Sequence, residues 1–239
     1  MIRNQNTFQA LSGTEAFVLD VNTNLWLEQG PFGTVPPSRK QVDTNVWRFQ
    51  ALSDTEVVVL SFDRNLWLEH GPFGTVPPVR QQIDFAVNLF QAITDTEIFV
   101  LGTDGNLWLE HGPFGTVPPP RDHVDMNVTA FEALSVNELL ILDTGGTLWL
   151  AQGPFGTVPP ATIPPRRQQI EVNVTAFQAI SDTKMLVRTG DNNLWLEHTL
   201  TPLGHYLPSV YLAYNTGGTN VAVEAVSTDF NKALSTGSN

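Results

Sequence analysis

Several side chains with chemical potential recur together along this chain. A glutamate stands near the end of each short Trp-containing segment (Glu28, Glu69, Glu110, Glu197), and the next position is Gln29, His70, His111, Gln152 or His198. The fourth unit departs, with Ala151 in the glutamate position. An arginine follows each Pro-Pro step (Arg39, Arg80, Arg121, Arg167), and a carboxylate stands four residues after it (Asp43, Asp84, Asp125, Glu171). Between Glu and Arg lies the loop GPFGTVPP, whose phenylalanine is Phe32, Phe73, Phe114 or Phe155. An acceptor, a fork of donors, a third polar group and an aromatic wall are what a pocket for vicinal hydroxyls uses. The same residues also suit plain packing. Arg and carboxylate would then tie an outer strand to the loop, and Phe would plug the gap to the next unit.

Other chemistry is poorly represented. The turn aspartates Asp63, Asp104, Asp143 and Asp191 each bring too few oxygens for calcium, and both the EF-hand spacing and the HExxH pair are absent, so no metal is expected. No GxSxG, Walker or Rossmann glycine pattern occurs, so no cofactor is expected. Every polar feature is copied from unit to unit, whereas a catalytic site is usually one asymmetric set. The chain does not read as an enzyme.

The elements that must position these residues come from a repeat. Trp26, Trp67, Trp108 and Trp149 are spaced by 41 residues, and Trp195 follows 46 later because of extra residues in PPATIPPRR. Phe8, Phe49, Phe90, Phe131 and Phe177 recur in step, each opening an FQA- or FEA-like phrase. A fixed period of this size marks a solenoid or a propeller. Each unit divides at Asp-Thr, Asp-Gly and Pro/Gly signals into four short segments rich in Phe, Val, Ile, Leu and Trp, as strands are. Asp104-Gly105 between apolar runs reads as a tight type I′ hairpin. No segment carries a 3.6-residue stripe. Runs such as EIFVLG are apolar throughout, as expected of strands covered on both faces.

The expected fold is therefore all-β: one five-bladed β-propeller domain spanning 1–239, with four-stranded units near 5–45, 46–86, 87–127, 128–173 and 174–218. Residues 202–208 (PLGHYLP) are a worn copy of the loop. TNVAVEAVS (219–227) echoes MNVTAFEALS (126–135) and is expected to close the ring beside the N-terminal strand, with a loose tail at 228–239.

Bulk properties narrow the partners. The net charge is −12, from 12 basic and 24 acidic side chains, which disfavours nucleic acid and anionic lipid. There is no cysteine, so disulfides are excluded. The start MIRNQNTFQA does not read as a signal peptide, and no apolar run is long enough to span a membrane. The compartment stays open.

The hairpin LGTDGNLWLEH, with its variants LSFDRNLWLEH and RTGDNNLWLEH, resembles the DGxLW hairpin of tectonin-type propellers and, loosely, the Asp-box turn of sialidases. The five-unit count is similar to the tachylectin family of five-bladed lectins. That resemblance implies sites for N-acetylated sugars between blades. Together with the copied polar residues it gives the functional expectation of multivalent binding to neutral glycans or glycoconjugates, without cofactor. The expected binding residues are Glu28, Phe32, Arg39, Glu69, His70, Phe73, Arg80, Glu110, His111, Phe114, Arg121, Phe155, Arg167, Glu197 and His198. The alternative is a structural or protein-interaction propeller without a small ligand, which self-associates through its C-terminal strand. If the ring closes as expected, deleting residues 209–239 lowers the melting temperature sharply or yields insoluble protein; a truncation as stable as the whole chain refutes the closure.

Overall fold

The structure is a computed structural model that describes residues 8–32, 37–76, 78–155, 166–181, 184–198 and 210–214. The described residues form five antiparallel sheets, each of four consecutive strands. Sheet 1 comprises β1 (Phe8–Ala10), β2 (Glu15–Leu19), β3 (Leu25–Gln29) and β4 (Ser38–Asp43). Sheet 2 comprises β5 (Val46–Ala51), β6 (Glu56–Ser61), β7 (Leu66–His70) and β8 (Val79–Asp84). Sheet 3 comprises β9 (Val87–Ala92), β10 (Glu97–Gly102), β11 (Leu107–His111) and β12 (Arg121–Asp125). Sheet 4 comprises β13 (Val128–Ser135), β14 (Glu138–Asp143), β15 (Leu148–Gln152) and β16 (Arg166–Glu171). Sheet 5 comprises β17 (Val174–Ser181), β18 (Lys184–Thr189), β19 (Asn193–His198) and β20 (Val210–Tyr214).

These are the blades of a multi-blade β-propeller. The chain falls into two compact units, residues 1–144 with 148–170, and residues 145–147 with 171–239. The closing strand expected at 219–227, the tail and the worn loop at 202–208 lie outside the described residues. Among the described residues no helix is long and apolar enough to cross a membrane.

In the first unit, three clusters fill the three gaps between successive sheets. Phe17, Leu25, Leu27 and Val42 of sheet 1 meet Val46, Phe49, Val57, Val59 and Phe73 around sheet 2. Val58, Leu60, Leu66, Leu68 and Ile83 meet Val87, Phe90, Ile98, Val100 and Phe114. Phe99, Leu101, Leu107, Leu109 and Val124 meet Val128, Phe131, Leu139, Ile141 and Phe155. Successive residues of a strand point to opposite faces. Within β6, Val57 and Val59 therefore enter one gap while Val58 and Leu60 enter the other. The unbroken apolar runs have this cause.

One device locks neighbouring first strands together. The Gln50 amide donates from Nε2 to the Ala92 carbonyl at 2.8 Å and accepts from the Ala92 N–H at 2.9 Å. Gln9 holds Ala51 in the same way (3.0 and 2.8 Å), and Gln91 holds Ala133 (2.9 and 2.7 Å). A primary amide offers one donor and one acceptor side by side, which matches the two backbone groups of a single residue.

At one end of the sheets a second set of backbone bonds runs from hairpin turn to sheet junction. The N–H groups of Val46, Phe62, Val87, Thr103, Val128 and Thr144 donate to the carbonyls of Thr23, Asn45, Arg64, Ala86, Gly105 and Asn127, at 2.7–3.1 Å. The junction residues Asn45, Ala86 and Asn127, and the turn residues Thr23, Arg64 and Gly105, all have left-handed φ of 54–80°. The Asp104-Gly105 turn is longer than a type I′ hairpin. Gly105 takes the left-handed conformation (φ 80°), while Asp104 accepts the Asn106 N–H at 3.0 Å and caps the loop through its side chain.

Replacing Gln50 by Leu leaves the Ala92 N–H and carbonyl without partners in a part-buried position. A loss of about 1–3 kcal/mol is expected, read by chemical denaturation. No loss would show that water serves the strand equally well.

Candidate functional site

The recurring Trp, Glu and Arg residues converge in the outer part of each gap. In β7, Trp67 and Glu69 alternate with Leu66 and Leu68, so they face sheet 1. Arg80 on β8 lies over the Trp67 ring at 4.2 Å from its centroid, and its Nη1 reaches Asp43 Oδ2 of β4 at 3.4 Å. The next gap repeats the arrangement. Arg121 lies over Trp108 at 4.2 Å and reaches Asp84 at 3.2 Å and Glu110 at 3.8 Å. His123 adds an edge contact to Trp108 at 4.7 Å. In the third gap Arg167 pairs with Asp125 and lies over Trp149 at 5.8 Å, with Ala151 buried in the glutamate position. Sheet 1 has no preceding sheet within its unit, and there Arg39 turns to Glu28 at 2.6 Å, with Trp26 at 5.8 Å.

The arginine partner is thus an aspartate 37 residues earlier, on the preceding sheet, and not the carboxylate four residues later. Four residues along a strand span about 13 Å, too far for direct pairing on one face. The later carboxylate caps its own junction instead: Asp43, Asp84 and Asp125 accept the N–H of Thr44, Phe85 and Met126.

Phe73, Phe114 and Phe155 are buried, and they fill the gap to the preceding sheet, not the next. Phe73 meets Phe17 edge-on at 5.6 Å, and Phe155 meets Phe99 at 5.9 Å. Their loop leaves its strand on the side that already carries Trp and Glu. Phe32, again without a preceding sheet in its unit, is 42% exposed.

The His/Gln position does not join them. It follows Glu in the strand and so points to the opposite face. His70 Nδ1 lies 3.3 Å from Glu56, His111 Nε2 lies 2.8 Å from Asp122, and Gln29 Nε2 donates to Glu15 at 2.8 Å. Glu197 is buried in the second unit, and the His198 side chain lies outside the described residues. Glu, Arg, Trp and Phe are brought together in the first unit, with His or Gln apart. Sequence reasoning missed the latching glutamines and the carboxylates facing His. Glutamine after the FQA phenylalanine, and Glu15 and Glu56 before the apolar runs, were the available signals.

The electrostatics of the gaps are unusual. Glu69 and Glu110 are fully buried, and no donor reaches their oxygens. Burial pushes the Glu69 carboxyl up to about 10, with the hydrogen bond and charge of Asp43 acting the same way and Arg80 against them. Burial, then the Asp84 charge and hydrogen bond, pushes Glu110 up to about 9, again opposed by its arginine, Arg121. A protonated Glu supplies the missing hydrogen, and the neighbouring Asp accepts it. One arginine then faces one net negative charge. Among the described residues no group of three or more His, Cys, Asp or Glu side chains could hold a metal ion.

No protein-family model matches the chain, and no curated protein matches it. Solved structures do. The N-terminal domain of Nup159 aligns with a TM-score of 0.53 at 11% identity, over 80% of this chain and 57% of that one. The WD40 β-propeller domain of Doa1 aligns with a TM-score of 0.54 at 11% identity, over 84% and 67%. A chain from an S. cerevisiae complex of dbp5 with nup159, gle1, ip6 and adp gives 0.51 at 10%, over 82% and 58%. The chain spans just over half the length of the Nup159 domain. At such identities the likeness shows the propeller fold and nothing finer, and the resemblance to tectonin and tachylectin lectins extends only to that architecture.

The raised carboxyls give the fold a pH signature. Glu69 and Glu110 hold their protons up to about 9–10 when folded, whereas an unfolded chain releases them near 4.5. Their contribution is fully present below about pH 4.5 and is lost as pH rises through the folded values, by on the order of 1 kcal/mol per pH unit for each group. The double variant Glu69→Gln/Glu110→Gln keeps a neutral donor toward Asp43 and Asp84. It should match the parent's melting temperature near pH 5 and exceed it by several degrees at pH 8.5. Parallel pH profiles for the two proteins would refute the protonated pairs.

Proposed function

We propose that this chain is a non-enzymatic, protein-interaction β-propeller whose working surface is the face of hairpin turns and sheet junctions. The observation that carries it is an arc of exposed apolar side chains on that face. Val21 is 98% exposed, Phe62 49%, Phe85 56% and Met126 56%. They sit on the turns and junctions that the backbone bonds described above join in sequence. Contiguous exposed apolar surface of this kind marks contact sites.

The pattern of repetition supports the same reading. GPFGTVPP is identical in four units, and its phenylalanines in sheets 2 to 4 are consumed in packing. The junction positions Thr44, Phe85, Met126 and Val172 all differ, so the exposed face is individual where the interior is uniform. Among the similar structures, nup159 is itself found in a complex with dbp5 and gle1, an example of the fold meeting other proteins.

Multivalent glycan binding through the Glu, Arg and Phe positions is the competing reading, favoured by the copying of those residues. In the structure Arg80 and Arg121 cover the Trp67 and Trp108 rings, and Glu69 and Glu110 are sealed from solvent. A sugar there would have to displace packing between sheets. Cross-linking of the wild-type chain in its native extract should recover a defined protein partner. The variant Phe62→Ser/Phe85→Ser/Met126→Ser should lose that partner with its melting temperature unchanged, and a broad glycan array should stay silent. Saturable glycan binding abolished by Arg80→Ala and Arg121→Ala would sink the proposal in favour of the lectin.

A further inference from the structure

One place in the first unit breaks the repeat with chemistry that packing does not use. Each first strand begins with a bulge, and the two residues at it are Asn88-Leu89 in sheet 3, Thr129-Ala130 in sheet 4 and Thr175-Ala176 in sheet 5. In sheets 4 and 5 the Thr hydroxyl donates to a carbonyl of the partner strand, at 3.0 Å from Thr129 to Leu142 and 3.1 Å from Thr175 to Arg188. Sheet 2 instead places Trp47 and Arg48 at the bulge. Bulges re-aim side chains and are frequent beside sites.

A second departure faces the first. The hairpin position held by Gly105 and Gly146 in sheets 3 and 4 is Arg64 in sheet 2, at φ 69°, a conformation that favours glycine. The Arg64 guanidinium lies 3.8 Å from the Trp47 ring centroid and donates to Asn88 Oδ1 at 3.1 Å. The neighbouring Asp63 carboxylate is turned to Ser61 and Asn65.

Arg39, Arg80, Arg121 and Arg167 each meet a carboxylate, but among the described residues Arg48 and Arg64 meet none. Burial alone pulls the Arg48 guanidinium below its ordinary value, as for a cation out of water without a counter-charge. In a chain of net charge −12, carboxylates were available and none was placed here.

We infer that Trp47, Arg48, Arg64 and Asn88 form a site for a monoanionic carboxylate borne on a flat apolar group. The arginines supply forks that match a carboxylate, Asn88 adds a polar contact, and Phe62 and Phe85 stand exposed on the adjoining turn and junction. A dianion fits less well, because the surrounding acidic field opposes a second negative charge. Arg64 is retained against its own backbone because it closes the site over Trp47. The site goes beyond a protein-docking role and stands or falls separately from it.

Benzoate, acetate and inorganic phosphate, titrated calorimetrically against the purified chain at constant ionic strength with chloride as control, test this. Benzoate should bind saturably and at least about threefold more tightly than acetate or phosphate, since only it offers both a carboxylate and a ring. Arg48→Met, checked for its fold by circular dichroism, should weaken benzoate about tenfold or more, with Arg48→Lys intermediate because it keeps the charge and loses the fork. Arg64→Gly should weaken benzoate while raising the melting temperature, since glycine relieves the left-handed backbone. The inference is overturned if wild-type chain shows no benzoate binding above the chloride control, or if phosphate or acetate binds as tightly. Full affinity in Arg48→Met or in Arg64→Gly overturns it as well. None of these outcomes alters the partner test above.

Discussion

A four-stranded sheet whose central strands are apolar on both faces cannot stand in water by itself. In β6 every residue from Val57 to Ser61 is buried, and in β10 every residue from Ile98 to Leu101. Burying a side chain of this size stabilises by about 1.5–3 kcal/mol, so leaving one face of such a sheet wet forfeits several of these at once. Each sheet of the first unit escapes this by leaning on its neighbours. The fixed repeat follows, because a neighbour of the same pleat and spacing is the partner most easily fitted. The loop phenylalanines follow too. Phe73 and Phe155 complete aromatic clusters begun by Phe17 and Phe99 of the preceding sheet, filling the gap near the loop end of the strands.

The outer part of each gap is polar, and its charge has to be balanced where water is scarce. Two carboxyls and one guanidinium meet in each of the first two gaps. Fully ionised, each group of three carries a net negative charge, and burying that is far more costly than protonating one acid. Keeping the proton on Glu69 and Glu110 brings each gap to neutrality. The third gap reaches the same neutrality differently: Ala151 removes the extra acid and leaves Arg167 with Asp125 alone. Ala151 therefore looks less like a damaged binding position than an alternative solution to one electrostatic problem.

The strands were legible because their signals are local. Turn residues, β-branched and aromatic segments and unbroken apolar runs follow from the geometry of one sheet and its two covered faces. Contacts between sheets were not legible, because a repeat offers every residue several equivalent partners. Arg80 has an acid four residues on and another 37 residues back, and only the stacking of sheets selects the second. The same ambiguity hid the direction in which Phe73 packs. Consecutive residues were also treated as one pocket: Glu69 and His70 adjoin in sequence, yet the pleat sends them to opposite faces. The Gln50 latch went unseen because glutamine has no strong structural preference. Its role appears only when the Ala92 backbone stands opposite.

Repetition itself changes how side chains should be weighed. In a protein built once, a cluster of Trp, Arg and Glu draws attention as a site. Here the cluster recurs in every gap of the first unit, and the structure uses it between sheets, where identical neighbours impose identical demands. A residue that only one sheet carries answers no such demand. Trp47, Arg48 and Arg64 lie at positions where the other sheets are content with Thr, Ala or Gly, and no packing rule shared among the sheets calls for an aromatic ring and two cations there. Arg64 in addition occupies a left-handed backbone position where glycine would sit without strain. Uniform positions thus report what holds the sheets together, and the singular ones report what distinguishes this molecule from a stack of interchangeable blades.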